Sequence, residues 1–195
     1  MTPPTPGTED EFEPPSPGSW GWHSLAEANH ESAHALAVHV LGLKVLEVRI
    51  DKPMNRGTRG IDPLGRCEYE KVRDDQRWKA MLVALAPSVM SGTCPERPPR
   101  LDNAERGDMF NAAVIIYEEE IDDVLYGGYC ALLDNLVSTP LARKKGLALG
   151  TALLERGALR GSEVEALFAE VEAEAGDGKA SDDGEDADNL EPKSP

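Results

Sequence analysis

The chain predicts a mainly α-helical domain with one small β-hairpin. Three observations carry this. Apolar residues recur at helical spacing in several stretches between residues 24 and 171, only the run 46–50 alternates with period two, and both ends have almost no large apolar residues. Residues 1–18 contain six prolines and four acids, and 172–195 contain nine acids against two lysines. Both read as disordered tails, because they cannot bury enough apolar surface to offset the entropy of ordering. The remaining 19–171 suits one ordinary domain.

The first helix is expected over 24–41. Ser24 and Glu27 spell an S-x-x-E capping box, and Gly42 is a natural C-terminal stop. Projection places Ala26, Ala33, Leu36, Ala37, Val40 and Leu41 on one face, with His30 and His34 along its edge and Glu31 beyond them. Trp20 and Trp22 suit a staple that pins the helix entry to the core, with substrate binding as the alternative.

Leu46, Val48 and Ile50 alternate with Glu47 and Arg49, the period of a half-buried strand. A Gly- and Pro-rich loop over 51–63 leads to a returning strand over 64–70, with Cys67 and Tyr69 on one side. Residues 74–91 form a second helix whose stripe Trp78, Met81, Leu82, Leu85 and Val89 is core, and Pro87 should kink or shorten it. An irregular loop over 92–104 precedes a third helix over 108–125, stopped by Gly127 and Gly128. Further helices are expected over 129–137, 140–155 and 162–171, the last opened by Ser162 with Glu163 and Glu165 in its first turn.

Of the net charge of -16, about -4 lies in 1–18 and -7 in 172–195, leaving -5 for the middle. That balance argues against nucleic acid or an anionic membrane surface as partner. Cys67, Cys94 and Cys130 are odd in number and lack C-x-x-C spacing, so neither a disulfide framework nor a cysteine metal site is indicated. A reducing cytoplasm fits best. No signal peptide and no run of 18 apolar residues is visible, which predicts a soluble protein with no direct membrane insertion.

The chemistry-bearing stretch is His30-Glu31-Ser32-Ala33-His34, an H-E-x-x-H run in mid-helix. Histidines four apart emerge about 40° apart, one turn above the other, and both can ligate one Zn²⁺. Glu31 points to the side, where a carboxylate serves as general base for hydrolysis without being a ligand. A surface histidine pair is the bland alternative. His39 lies roughly 140° around the helix from His34, away from the pair. A catalytic zinc needs a third protein ligand. The metzincin spacing would require His and Gly where the chain has Val40 and Ala37, and no glutamate occurs in 48–67 to serve as a thermolysin-like ligand. The third ligand therefore comes from farther along the chain. The hairpin beside the helix either holds extended substrate along an edge strand or is purely structural.

The run Asn29-His30-Glu31-Ser32-Ala33-His34-Ala35-Leu36, with Leu41-Gly42 and the strand 45–50, resembles the opening of the peptidase domain of FtsH-type ATP-dependent zinc proteases. Leu64-Gly65-Arg66 is similar to that family's Leu-Gly before its second strand, and 81–92 to its L-A-G-x-x-A-E helix. Leu153-Leu154-Glu155-Arg156-Gly157-Ala158-Leu159 with Gly161-Ser162-Glu163-Val164 is similar to its C-terminal L-L-E-K-E-T-L-x-G-x-E segment. The likeness covers about 24–170 and implies a helical zincin-type fold and zinc metalloendopeptidase activity.

The third ligand of that family is an aspartate opening a helix in G-A-x-N-D-L-x-x-A. Here the matching run is Ala104-Glu105-Arg106-Gly107-Asp108-Met109-Phe110-Asn111-Ala112, so the resemblance implies Asp108 as ligand, with Asp102 as the fallback. A helix N-cap is the other role open to Asp108. The chain departs from the family in reading H-E-S-A-H for H-E-A-G-H and Leu85-Ala86-Pro87 for L-A-G, and no AAA ATPase module or membrane anchor is visible. Without a motor, the expected substrates are flexible polypeptides or proteins presented by a partner such as a separate ATPase or adaptor. One alternative is a processing protease dedicated to a single partner protein. Another is a retired zincin that binds metal or protein, although a binding module has no chemical need for Glu31.

Overall fold

Helix α1 (Trp22–Val40) is the axis on which the domain is assembled. The computed structural model describes residues 22–50, 65–98 and 107–177. Around α1 it places β1 (Val45–Ile50), β2 (Gly65–Tyr69), a 3₁₀ turn (Asp74–Gln76), α2 (Arg77–Met90), α3 (Asp108–Glu118), α4 (Asp123–Val137), α5 (Pro140–Arg156), β3 (Ala158–Arg160) and α6 (Gly161–Asp177). The expected mainly helical class holds, with a small antiparallel sheet in the order β2-β1-β3. The segment 1–18, most of 172–195, the loop 51–63, Trp20, Asp102 and the Trp22 side chain lie outside the described residues.

From Glu31 to Val38 every residue of α1 is buried, where a one-sided amphipathic helix was expected. Small side chains explain it: Ala28, Ser32, Ala33, Ala35 and Ala37 let α2, α5, β1 and β2 approach from different sides. Ala26 is exposed and lines an open cleft instead of the core. The helix begins at Trp22, so Ser24 is already inside it and the S-x-x-E run is not its start. Its end is as expected. Gly42 adopts φ +69°, its N–H donates to His39 O at 3.0 Å, and Leu43 N–H donates to Val38 O at 2.9 Å.

The alternation expected in β1 is broken by an irregularity between Val45 and Glu47 in the pairing with β2. Val45, Val48 and Ile50 are buried while Leu46 is 47% exposed, because an extra residue in one strand flips the faces that follow. Strand β3 was not expected. Its three residues are too short to show a period, yet Leu159 is buried opposite Val48, and Ala158 and Arg160 pair with Arg49 and Glu47. The turn into α6 passes close over β1: a Cβ on Gly161 would sit 2.0 Å from the Val45 carbonyl oxygen.

In α2, Met81, Leu82, Leu85 and Val89 are buried as expected, and Trp78 stacks on Tyr129 with centroids 5.5 Å apart. The single helix expected over 108–125 is two. Helix α3 ends at Glu118, Glu120 takes φ +51°, and Ile121 N–H closes back on Ile116 O at 2.9 Å. Asp122 then caps α4 by accepting from Leu125 N–H at 2.8 Å. Gly127 and Gly128, expected as breakers, lie inside α4, whose buried face of Tyr126, Cys130, Leu133 and Val137 offsets their poor helix propensity. Helix α5 opens on a Thr139 cap with Pro140 in its first turn.

Helix α6 runs to Asp177, past the boundary expected at 171. It is fastened through Lys145, buried in α5, whose Nζ lies 2.8 Å from His39 Nε2 and 2.5 Å from Glu172 Oε1. His39 Nδ1 is 3.5 Å from Glu165 Oε2, and its ring meets Phe168 edge-on at 4.7 Å. No described helix is long and apolar enough to cross a membrane.

Candidate metal centre

The i, i+4 spacing on α1 sets the His30 and His34 rings edge to face with centroids 4.7 Å apart and brings their Nε2 atoms to 3.1 Å. Asp108 arrives from α3 and puts Oδ2 2.9 Å from His30 Nε2 and 3.1 Å from His34 Nε2. Gly107, with φ +106°, is the N-cap of α3 and makes no side-chain cap possible, so Asp108 is the first helical residue and its carboxylate turns to the histidines. The N-cap role open to Asp108 from sequence is therefore filled by Gly107. The helix N-terminus favours a negative charge at that position.

The tautomer of His34 decides what this triangle is. Its Nδ1–H donates to the Val83 carbonyl at 2.7 Å, and a carbonyl only accepts. The neutral ring therefore presents a bare Nε2 lone pair to Asp108 and His30. With His30 Nε2 also unprotonated, three acceptor atoms converge on one point, an arrangement that a metal cation can fill. Four-coordinate zinc with ligands at about 2.0–2.2 Å separates its donors by about 3.3–3.6 Å, so a few tenths of an ångström of side-chain movement would seat the ion. Two imidazoles and a carboxylate oxygen also form a donor set that zinc accepts.

The electrostatics point the same way. Burial works against a charged His34, but the Asp108 hydrogen bond and charge, the Glu31 charge and the Val83 carbonyl outweigh it and raise its pKa. Partial burial works to raise the Asp108 carboxyl, yet the hydrogen bonds and charges of His30 and His34 hold it well below the usual carboxylate range. Burial, then the charges of Glu31, Asp108 and Glu68, push the Cys67 thiol up, and Tyr69 is raised by burial, Cys67 and Asp108. The surroundings are thus negative and suit a cation.

Glu31 is buried beside the cluster, and the start of β2 is shaped around it. A Cβ on Gly65 would lie 2.5 Å from Glu31 Cγ and 2.7 Å from Oε1, so only glycine lets the strand pass that close. The site opens into a cleft of about 330 Å³ walled by β2 (Arg66, Cys67, Tyr69), α2 and the first turns of α3. A second cleft of about 430 Å³ begins at His30 and runs between α1, α2 and α5 past Ala26, Pro87, Met90 and Leu147. His34 is almost closed off, with its side chain 7% exposed, whereas His30 at 45% leaves one side of the cluster open.

The residues expected at the site are thus together: His30, His34 and Asp108 in one cluster with Glu31 alongside. Asp102 lies outside the described residues. Sequence reasoning missed Val83, whose contribution is a backbone carbonyl without a side-chain signal, and the wall residue Asn111 one turn after Asp108. No family model matches the chain, and no curated protein matches it in sequence. On geometry alone, this is a helical domain with a zincin-type His/His/Asp centre able to coordinate a metal ion, consistent with the active site of a zinc-dependent metallopeptidase.

Proposed function

We propose that the protein is a zinc endopeptidase of the FtsH-like kind, with His30, His34 and Asp108 as ligands and Glu31 as general base. The observation that carries the reading is the convergence of His30 Nε2, His34 Nε2 and Asp108 Oδ2 within 3.1 Å of one another with the His34 proton committed elsewhere. A zinc ion held there supplies a Lewis acid that lowers the pKa of water and polarises a carbonyl. Glu31, outside the ligand set, accepts the proton of the attacking water and returns it to the leaving amine. The contact of Gly65 with Glu31 restricts where that carboxylate swings.

Strand β2 pairs with β1 on one side only among the described residues and forms a wall of the cleft, so an extended polypeptide added to its open edge would cross the cluster. This favours flexible chains or loops as substrate, delivered in the cytoplasm by diffusion or by a separate ATPase or adaptor. One processing target and a retired binding module remain the competing readings, and the buried position of Glu31 beside the cluster favours catalysis over the latter.

The test is elemental analysis of the full-length protein joined to digestion of a peptide library. One Zn²⁺ per chain and cleavage of extended peptides are expected. Glu31→Gln should keep the zinc and lose roughly 10²- to 10⁴-fold in kcat/KM. If zinc-loaded wild type cleaves nothing under any presentation, the enzyme reading fails and the binding module replaces it.

A further inference from the structure

The Val83 carbonyl that orients His34 lies in the middle of α2, where carbonyls ordinarily belong to the helix. The donor that would claim it is the N–H four residues on. That residue is Pro87, which has no N–H, and a proline ring inside a helix crowds the carbonyl one turn back. Val83 is buried, so water is a poor substitute donor. His34 Nδ1–H fills the vacancy at 2.7 Å.

We propose that Pro87 is a positioning residue for the metal centre: by withholding its N–H it reserves the Val83 carbonyl for His34 Nδ1–H, which fixes the tautomer whose Nε2 lone pair faces His30 and Asp108. The consequence for zinc rests on the metallopeptidase reading; the tautomer is a property of the chain itself. An interior proline weakens a helix, and only Ser88, Val89 and Met90 follow it in α2, which keeps the disruption at the helix end. With an ordinary residue at 87, an N–H would compete with His34 for the carbonyl. His34 would then be free to populate the Nε2–H form, which cannot ligate through Nε2.

The experiment compares wild type with Pro87→Ala and Pro87→Met, two variants that restore the N–H but differ in bulk in the cleft that Pro87 also lines. Nitrogen NMR of histidine-labelled, zinc-free full-length protein at pH 9 reads the tautomer, chelator competition reads zinc affinity, and thermal unfolding reads stability. Wild type should show His34 as Nδ1–H with a slowly exchanging proton. Both variants should shift towards Nε2–H and bind zinc about 10- to 100-fold more weakly, while their thermal midpoints stay level or rise because the helix has gained a hydrogen bond. A role confined to folding would move affinity and midpoint down together. An unchanged Nδ1–H signal with wild-type zinc affinity in both variants would overturn the proposal, as would an effect in one variant only, which would trace to bulk. If wild type binds no zinc, the peptidase reading fails by itself and the tautomer comparison still decides the role of Pro87.

Discussion

Helix α1 carries His30, His34 and His39 into two polar clusters, and the two differ in where the positive charge comes from. At His39 the protein supplies its own cation. The Lys145 ammonium donates to His39 Nε2 and to Glu172, and His39 turns Nδ1 towards Glu165, so donors and acceptors balance. At His30 and His34 the described residues place no lysine or arginine in the cluster. Among the described residues Asp108 is paired only with the two histidines, and Arg66 in the cleft wall is engaged with Glu68 at 2.6 Å. A cluster that contains its cation fastens two helices, whereas one that lacks it is a site for a cation from outside.

The sharpest break of this comparison is ligand deletion. His34→Ala and Asp108→Ala should each lower zinc affinity at least about 100-fold, while His39→Ala, one turn and a half along the same helix, should leave zinc content unchanged. Stoichiometric zinc in His34→Ala, measured by elemental analysis after gel filtration, would erase the distinction.

A smaller effect is expected where the backbone meets Glu31. Gly65→Ala places a methyl against that carboxylate, so peptide hydrolysis should fall about 10- to 100-fold with zinc retained. Unchanged kcat would show that Glu31 has room to move.

Proton competition sharpens the contrast further. The His34 pKa is raised in the metal-free protein, so the proton begins to compete with zinc above pH 6.5, and zinc affinity should fall by up to about tenfold per unit as pH drops below the folded value. The linked stability has the opposite trend in zinc-free protein. The contribution of the protonated ring is fully present below the unfolded value near 6.5 and is lost as pH rises through the folded one, as melting at a series of pH values would reveal.

The smallest effect belongs to the self-sufficient cluster. Lys145→Met removes its cation and should cost about 1–2 kcal/mol, a midpoint lowered by roughly 2–8 °C, with zinc binding untouched. A loss of zinc in that variant would mean that the two ends of α1 are coupled.

What was legible in the sequence divides along the same physical lines. The histidine pair and Glu31 were readable because helical geometry is local and their spacing carries it. Asp108 is 74 residues from His34, and no spacing rule connects them; only the family resemblance pointed there. The Val83 carbonyl was invisible because a backbone group leaves no trace in residue type, although Pro87, noted only as a kink, was its signal. In the fold, the run Glu118-Glu119-Glu120 favours helix and hid the break before the Asp122 cap, while Gly127 and Gly128 suggested a break that burial of the other face overrode. The irregularity in β1 reversed the expected exposure of Leu46, since pairing geometry decides faces and a single strand's pattern does not.

Strand β1 lies between a neighbour that follows it closely and one that comes about 110 residues later, since Glu47 is paired with Arg160. At ribosomal speeds of about 5–20 residues per second, on the order of 5–20 s pass between the two strands leaving the exit tunnel. Throughout that interval β1 carries an unpaired edge beside the apolar side chains of Val45 and Val48, a template on which another nascent chain could pair. The last-made strand therefore does more than complete a sheet: it ends the period in which the young chain is open to misassociation.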